Sequence, residues 1–167
     1  MHIKKTRLKG VLSIKLKPFI DHRGKYLEIF NKELFKKTKK KILFKQDDIV
    51  ISKKNVLRGI HGDFKTWKLI TCIQGSFLLL IVNNIKNHKE YKKWQIFKLN
   101  ENKPLQILVP PGFGNAHIIT SQKGIFHYKQ STLYERKSQF TIKWNSTEHN
   151  FKWPFKFKPI TSKRDKV

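Results

Sequence analysis

The chain has 167 residues, a single cysteine and a formal charge of +26 at pH 7, a length that fits one domain over residues 1–167. The lone Cys72 excludes an internal disulfide, the first residues lack the apolar stretch of a signal peptide, and the longest apolar run, 77–82, is far short of the roughly 20 residues that span a bilayer. The expectation is therefore a cytoplasmic protein without membrane insertion. The basic residues divide into 32 Lys and 5 Arg spread along the whole chain, whereas readers of phosphate and base edges concentrate Arg on one face, so no specific nucleic-acid partner is expected.

In chain order, residues 14–19 and 24–30 read as short strands around the turn Asp21-His22-Arg23-Gly24. A brief helix is predicted over 31–37, with Asn31 as its cap and Glu33 in the first turn, where a carboxylate suits the helix dipole. The lysine-dense run 36–41 falls at its end as a solvated helix end or loop. From residue 42 onward apolar runs recur about every ten residues, at 49–52, 55–60, 68–74, 76–82, 94–99, 105–109, 116–120 and 124–130. Many short strands divided by Gly, Pro and Asn turns predict an all-β antiparallel sandwich or barrel of the jelly-roll type with a few short helices.

The run Val56-Leu57-Arg58-Gly59-Ile60-His61, with Lys68 seven residues further on, carries the chemistry. Strict alternation puts Leu57 and Gly59 on one face and Val56, Arg58 and Ile60 on the other, with His61 at the strand's end and Lys68 joining after a bend. Burying unpaired cations is costly, so such a cluster points to a pocket for an anion that performs proton chemistry. An Arg-x-x-His pair alone fits an ordinary basic surface strand equally well. His61 is available neutral near pH 7 as a base, and Arg58 and Lys68 supply positive charge for an anion or a developing oxyanion.

Across nearly the whole chain the sequence resembles the dTDP-4-dehydrorhamnose 3,5-epimerase family of cupin-fold enzymes. The resemblance runs through Asp21-His22-Arg23-Gly24, Gln46-Asp47-Asp48, the stretch from Lys53 to His61, Pro110-Pro111-Gly112-Phe113, Tyr128-Lys129 with Tyr134, Trp144-Asn145, Trp153-Pro154 and Ser162-Lys163-Arg164-Asp165. It implies a cupin-type jelly roll that inverts C3, C5 or both in a nucleotide-linked 4-keto sugar for cell-surface polysaccharide synthesis. The implied partners are that sugar and a second copy of the chain, with no cofactor and no metal. It further implies that Asp165 pairs with the base His61, that Tyr128 is the acid on the opposite face, and that Tyr134 flanks this acid. Lys68 would sit near the enolate oxygen and Arg58 toward the sugar or diphosphate. Arg23 and Glu28 would meet the nucleotide, often across the dimer, while Gln46 and Asp48 belong to another binding stretch. Arg164 stands for a Lys of the family, keeping the charge but presenting a planar fork.

Three positions depart from the family pattern. Gly112-Phe113-Gly114-Asn115-Ala116-His117 replaces Gly-Phe-Ala-His-Gly-Phe, so Asn115 takes the usual His position and His117 falls two residues on, on the same strand face. The loop between His61 and Lys68 is short, and Gln139 stands where a Glu often meets the nucleotide. Together they imply a changed substrate, and the variants are similar to the branch that acts on GDP-linked 4-keto heptoses. Rival readings are a cupin metalloenzyme, which lacks two expected ligands here, a 3,4-ketoisomerase using the same enediol, and a non-catalytic basic binding module.

Overall fold

The computed structural model describes residues 2–166; Met1 and Val167, the ends of the expected unit, lie outside the described residues. In chain order come β1 (His2–Lys5), β2 (Leu12–Lys15), β3 (Phe19–Asp21), β4 (Gly24–Tyr26), the one-turn helix α1 (Lys32–Phe35), β5 (Gln46–Lys53), β6 (Leu57–Gly62) and β7 (Lys68–Gln74). β8 (Ser76–Asn83), β9 (Trp94–Asn100), β10 (Leu105–Val109), β11 (Phe113–Ile119), β12 (Lys123–Gln130) and β13 (Phe140–Thr141) follow. Two antiparallel sheets pack face to face as a jelly roll, one ordered β1-β2-β10-β7-β12-β5 and the other β13-β6-β11-β8-β9, while β3 and β4 pair apart as a hairpin.

The run 77–82 is buried throughout because both of its faces are covered. Phe77, Leu79 and Ile81 enter the core between the sheets with Ile70, Ile107, Ile119 and Phe126. The alternate residues Leu78, Leu80 and Val82 face outward, where Trp94, Trp144, Trp153 and Phe155 close over them. Trp94 of β9 and the C-terminal aromatics thus give the smaller sheet a second apolar layer.

Three elements differ from the sequence reading. The expected strand over 14–19 divides after Lys15, since Pro18 has no N–H to give a ladder. The expected strand over 24–30 stops at Tyr26, and Leu27, Ile29 and Phe30 instead pack with Phe35, Phe44 and Trp67 over the outer face of the larger sheet. β1 was not expected, because its lysines are exposed and Ile3 alone is drawn into that outer cluster. The helix starts as predicted: Asn31 Oδ1 accepts from the amides of Glu33 and Leu34 at 3.0 and 3.3 Å.

Candidate active site

A cleft of about 250 Å³ opens between the two sheets, walled by β5, β6, β7, β11 and β12 and by residues 134–165. Alternation along β6 predicted Arg58 beside Ile60, and the structure corrects this. His117 of β11 pairs with Arg58 and Asn115 with His61, so two residues of β6, Gly59 and Ile60, oppose the single Ala116 of β11. This bulge breaks the period of two. Arg58 and His61 therefore share the cleft, while Ile60 turns into the outer apolar cluster. Gly59 makes the close approach possible: a Cβ there would lie 2.5 Å from the Asn115 carbonyl oxygen and 2.7 Å from Ala116 Cα.

His61 Nε2 lies 2.8 Å from Asp165 Oδ1, close in distance but off-line in angle, so neither atom completes a well-aligned hydrogen bond there. Asp165 is buried and also accepts from the Ser162 hydroxyl at 2.7 Å. Burial opposes its charge, yet His61, Ser162 and the Gly59 amide together hold its carboxyl below the usual range. The pair leaves Nδ1 as the imidazole nitrogen not committed to Asp165, with the carboxylate placed to stabilise an imidazolium.

Tyr128 enters the cleft from β12, directly across the ladder from Asp48 of β5. Burial, then the neighbouring charge and hydrogen-bonding capacity of Asp48, push its phenol up to about 12. Asp48 stands outside the residues lining the cleft and accepts from the Gln46 and Gln130 side-chain amides at 2.9 and 3.0 Å. Gln46 also accepts from the Tyr134 backbone amide at 2.7 Å, and Arg164 donates to the Tyr134 hydroxyl at 3.1 Å.

Lys68 is 7% exposed and donates to Asn115 Oδ1 at 3.1 Å. Burial lowers its ammonium to about 8, with Asp63 resisting and Arg164 adding to the fall. Asp63, which the sequence reading does not single out, organises the short loop after β6. Its Oδ1 accepts from the amides of Lys65 and Thr66 at 2.8 and 2.7 Å, and Oδ2 accepts from Gln139 at 2.6 Å. The readable signal was an Asp that precedes a tight loop, an Asx turn. His117 is stacked on Phe126 at 4.1 Å, with Nε2 buried and unpartnered. Burial and the Arg58 charge push it down to about 3, so it stays neutral and is a poor base. Among the described residues no three His, Cys, Asp or Glu side chains gather as metal ligands.

The cleft thus brings together His61, Asp165, Lys68, Arg58 and Tyr128, with Asn115, His117, Tyr134 and Arg164 around them, and Gln46 and Asp48 one layer behind. Arg23 and Glu28 are not in it. Arg23 pairs with Asp21 at 2.7 Å in the β3–β4 turn, and Glu28 accepts from Asn31 at 3.2 Å beside a separate pocket on the outer face. Gln139, which stands at a position the resemblance assigns to the nucleotide, lines the cleft as well; Ser162 and Gln130, which also line it, were not among the expected site residues and act by holding Asp165 and Asp48.

The sequence pattern of the dTDP-4-dehydrorhamnose 3,5-epimerase family matches residues 5–167. The chain belongs to this family. As a member it is an isomerase, a nucleotide-sugar epimerase acting on a 4-keto sugar. It is 32% identical to the dTDP-4-dehydrorhamnose 3,5-epimerase of Salmonella typhimurium, over 99% of this chain and 92% of that protein. The epimerase of Bacillus anthracis, solved with TDP and pyrophosphate bound, superposes with a TM-score of 0.93 at 26% identity, covering 99% of this chain and 97% of that one. That of Elizabethkingia anophelis gives 0.89 at 29% identity, covering 99% and 93%. Membership accounts for the jelly roll around a polar cleft. Among the described residues no helix is long and apolar enough to cross a membrane.

Proposed function

We propose that the cleft inverts C3 and C5 of a nucleotide-linked 4-keto sugar through an enolate, with His61 as base and Tyr128 as acid. Removing a proton beside a ketone needs a base on one face, an acid on the other and positive charge near the enolate oxygen. The observation that carries this reading is the His61–Asp165 pair at 2.8 Å in one cleft with Tyr128 and the buried Lys68. Lys68 would meet the oxyanion, Arg58 and Arg164 the anionic part of the substrate, and Asn115 and His117 the sugar hydroxyls. A 3,4-ketoisomerase would instead work from a single face.

The cleft of about 250 Å³ is below the roughly 300–1,000 Å³ of a typical small-ligand site, which suits the sugar and leaves the nucleotide outside. A homodimer would supply the remainder. The hairpin carrying Arg23 exposes Phe19, Ile20 and Tyr26, an apolar face that a second copy would cover, bringing Arg23 and Glu28 to the partner's nucleotide. The whole chain would then act as one cytoplasmic unit.

Incubation in deuterated water with dTDP-4-keto-6-deoxyglucose, and separately with a GDP-linked 4-keto heptose, tests both activity and substrate. The relatives favour the dTDP sugar; Asn115 in place of the usual His favours the heptose. Label appearing at C3 and C5 by NMR is the expected result, at C3 alone it narrows the reaction to one centre, and at neither carbon with either sugar it overturns the reading.

A further inference from the structure

We infer that Asp48 is a positioning residue that keeps the phenolic proton on Tyr128 between turnovers. This rests on the reading of Tyr128 as the acid. Asp48 and Tyr128 are direct partners across the β5–β12 ladder, yet Asp48 lies outside the residues lining the cleft. Its carboxylate is anchored by two amides, Gln46 Nε2 at 3.1 and 2.9 Å from its two oxygens and Gln130 Nε2 at 3.0 Å from Oδ2. Amide donors stabilise the ionised carboxylate and fix where its charge sits.

The charge is felt against a basic background. Lys68 of β7, Arg58 and His61 of β6, His117 of β11, and Tyr134, Arg164 and Asp165 of the C-terminal part all surround the same cleft. Cations there would pull the phenol toward ionisation. It is instead pushed up, by burial first and then by Asp48, with Tyr134 adding. In the cycle the Tyr128 hydroxyl gives its proton to the sugar carbon and becomes a phenolate. The adjacent Asp48 carboxylate disfavours that phenolate and so drives recapture of a proton from solvent, while His61 releases to solvent the proton it took from the sugar.

Labelling tyrosine at Cζ with carbon-13 gives a direct readout, since the chain has four tyrosines and Tyr128→Phe assigns the relevant one. In the unsubstituted protein the Tyr128 resonance should hold its position up to about pH 11. In Asp48→Asn, which keeps the shape and removes the charge, the midpoint should fall by about one pH unit or more. Steady-state rates should show kcat reduced with KM within about threefold. Tyr134→Phe leaves the carboxylate in place and should move the midpoint far less. An unmoved midpoint in Asp48→Asn would overturn the inference, as would a KM raised about tenfold with kcat kept, the mark of a substrate contact. The titration needs no substrate. A protein that epimerised nothing would overturn the role of Tyr128 as acid and still leave the influence of Asp48 on its proton measured.

Discussion

Arg58 and His61 stand three residues apart on one strand and face the same cleft, because between them β6 carries two residues against one of β11. In a regular strand that separation would send them to opposite faces. The bulge thus places a permanent cation and a titratable base on one side of the smaller sheet, where a substrate carrying both a phosphate and an acidic C–H can meet them together.

Gly59 permits this arrangement, and Gly59→Ala should remove it. The residue has φ near +114°, where L side chains are strained, and its added Cβ would collide with Asn115 and Ala116 backbone. Strain and overpacking together should cost about 2–4 kcal/mol, read as a lowered urea midpoint. Activity should fall further than stability alone accounts for. A variant of unchanged midpoint and activity would show that the close packing of β6 on β11 is not required.

Much of the site was legible in the sequence because its residues sit in dense local patterns. His61, Lys68, Tyr128 and Asp165 occur in motifs whose order survives along the chain, and the structure brings them into one cleft. The face assignment of Ile60 failed since a bulge is a relation between two strands, invisible to a periodicity count along one. Asp63 and Gln130 were missed for a related reason: each matters by the group it holds, Asp63 through Gln139 and the loop amides, Gln130 through Asp48. The strands β5 to β12 matched closely, as alternation and apolar runs are strong there, whereas β1 and the stretch 27–30 are shaped by packing from segments distant in sequence.

His61→Asn should abolish nearly all deuterium exchange and turnover, by about 10²–10⁴-fold for loss of a general base, with KM within a few fold because Arg58, Lys68 and Arg164 remain. Asp165→Asn should fall between this and the parent protein, since it keeps the imidazole in place and weakens only its charged form. His117 offers no rescue: its proton affinity, pushed down to about 3, is too low. Retention of more than about a tenth of the parent rate in His61→Asn, on the scale of that range, would show that another group takes the proton.

Tyr128→Phe separates the two faces of the reaction. The base side is intact, so deuterium should still wash into the substrate while inverted product falls by about 10²-fold or more, the usual share of a general acid. Parallel NMR assays for label and for product measure the ratio. Equal loss of exchange and inversion would assign Tyr128 to the first proton transfer instead.

Lys68 sets the alkaline limit. Burial lowers its ammonium to about 8, so the charge is present at pH 7 and is lost as pH rises through that value. In the free enzyme kcat/KM should therefore drop about tenfold per pH unit above it. Lys68→Arg, charged to beyond pH 12, should lose this limb even at a lower plateau. Asp63→Asn should move the limb to lower pH, because the Asp63 carboxylate supports the ammonium. The linkage to folding has a definite sign. An unfolded lysine titrates near 10.5, so between about 8 and 10.5 the unfolded chain holds a proton that the folded chain has released, and stability rises with pH across that window. Relative to Lys68→Met, which has no such group, the parent protein should gain on the order of 3 kcal/mol between pH 7 and 10.5, measured by urea unfolding at each pH. A limb near pH 8 that persists unchanged in Lys68→Arg would assign the limit to a different group.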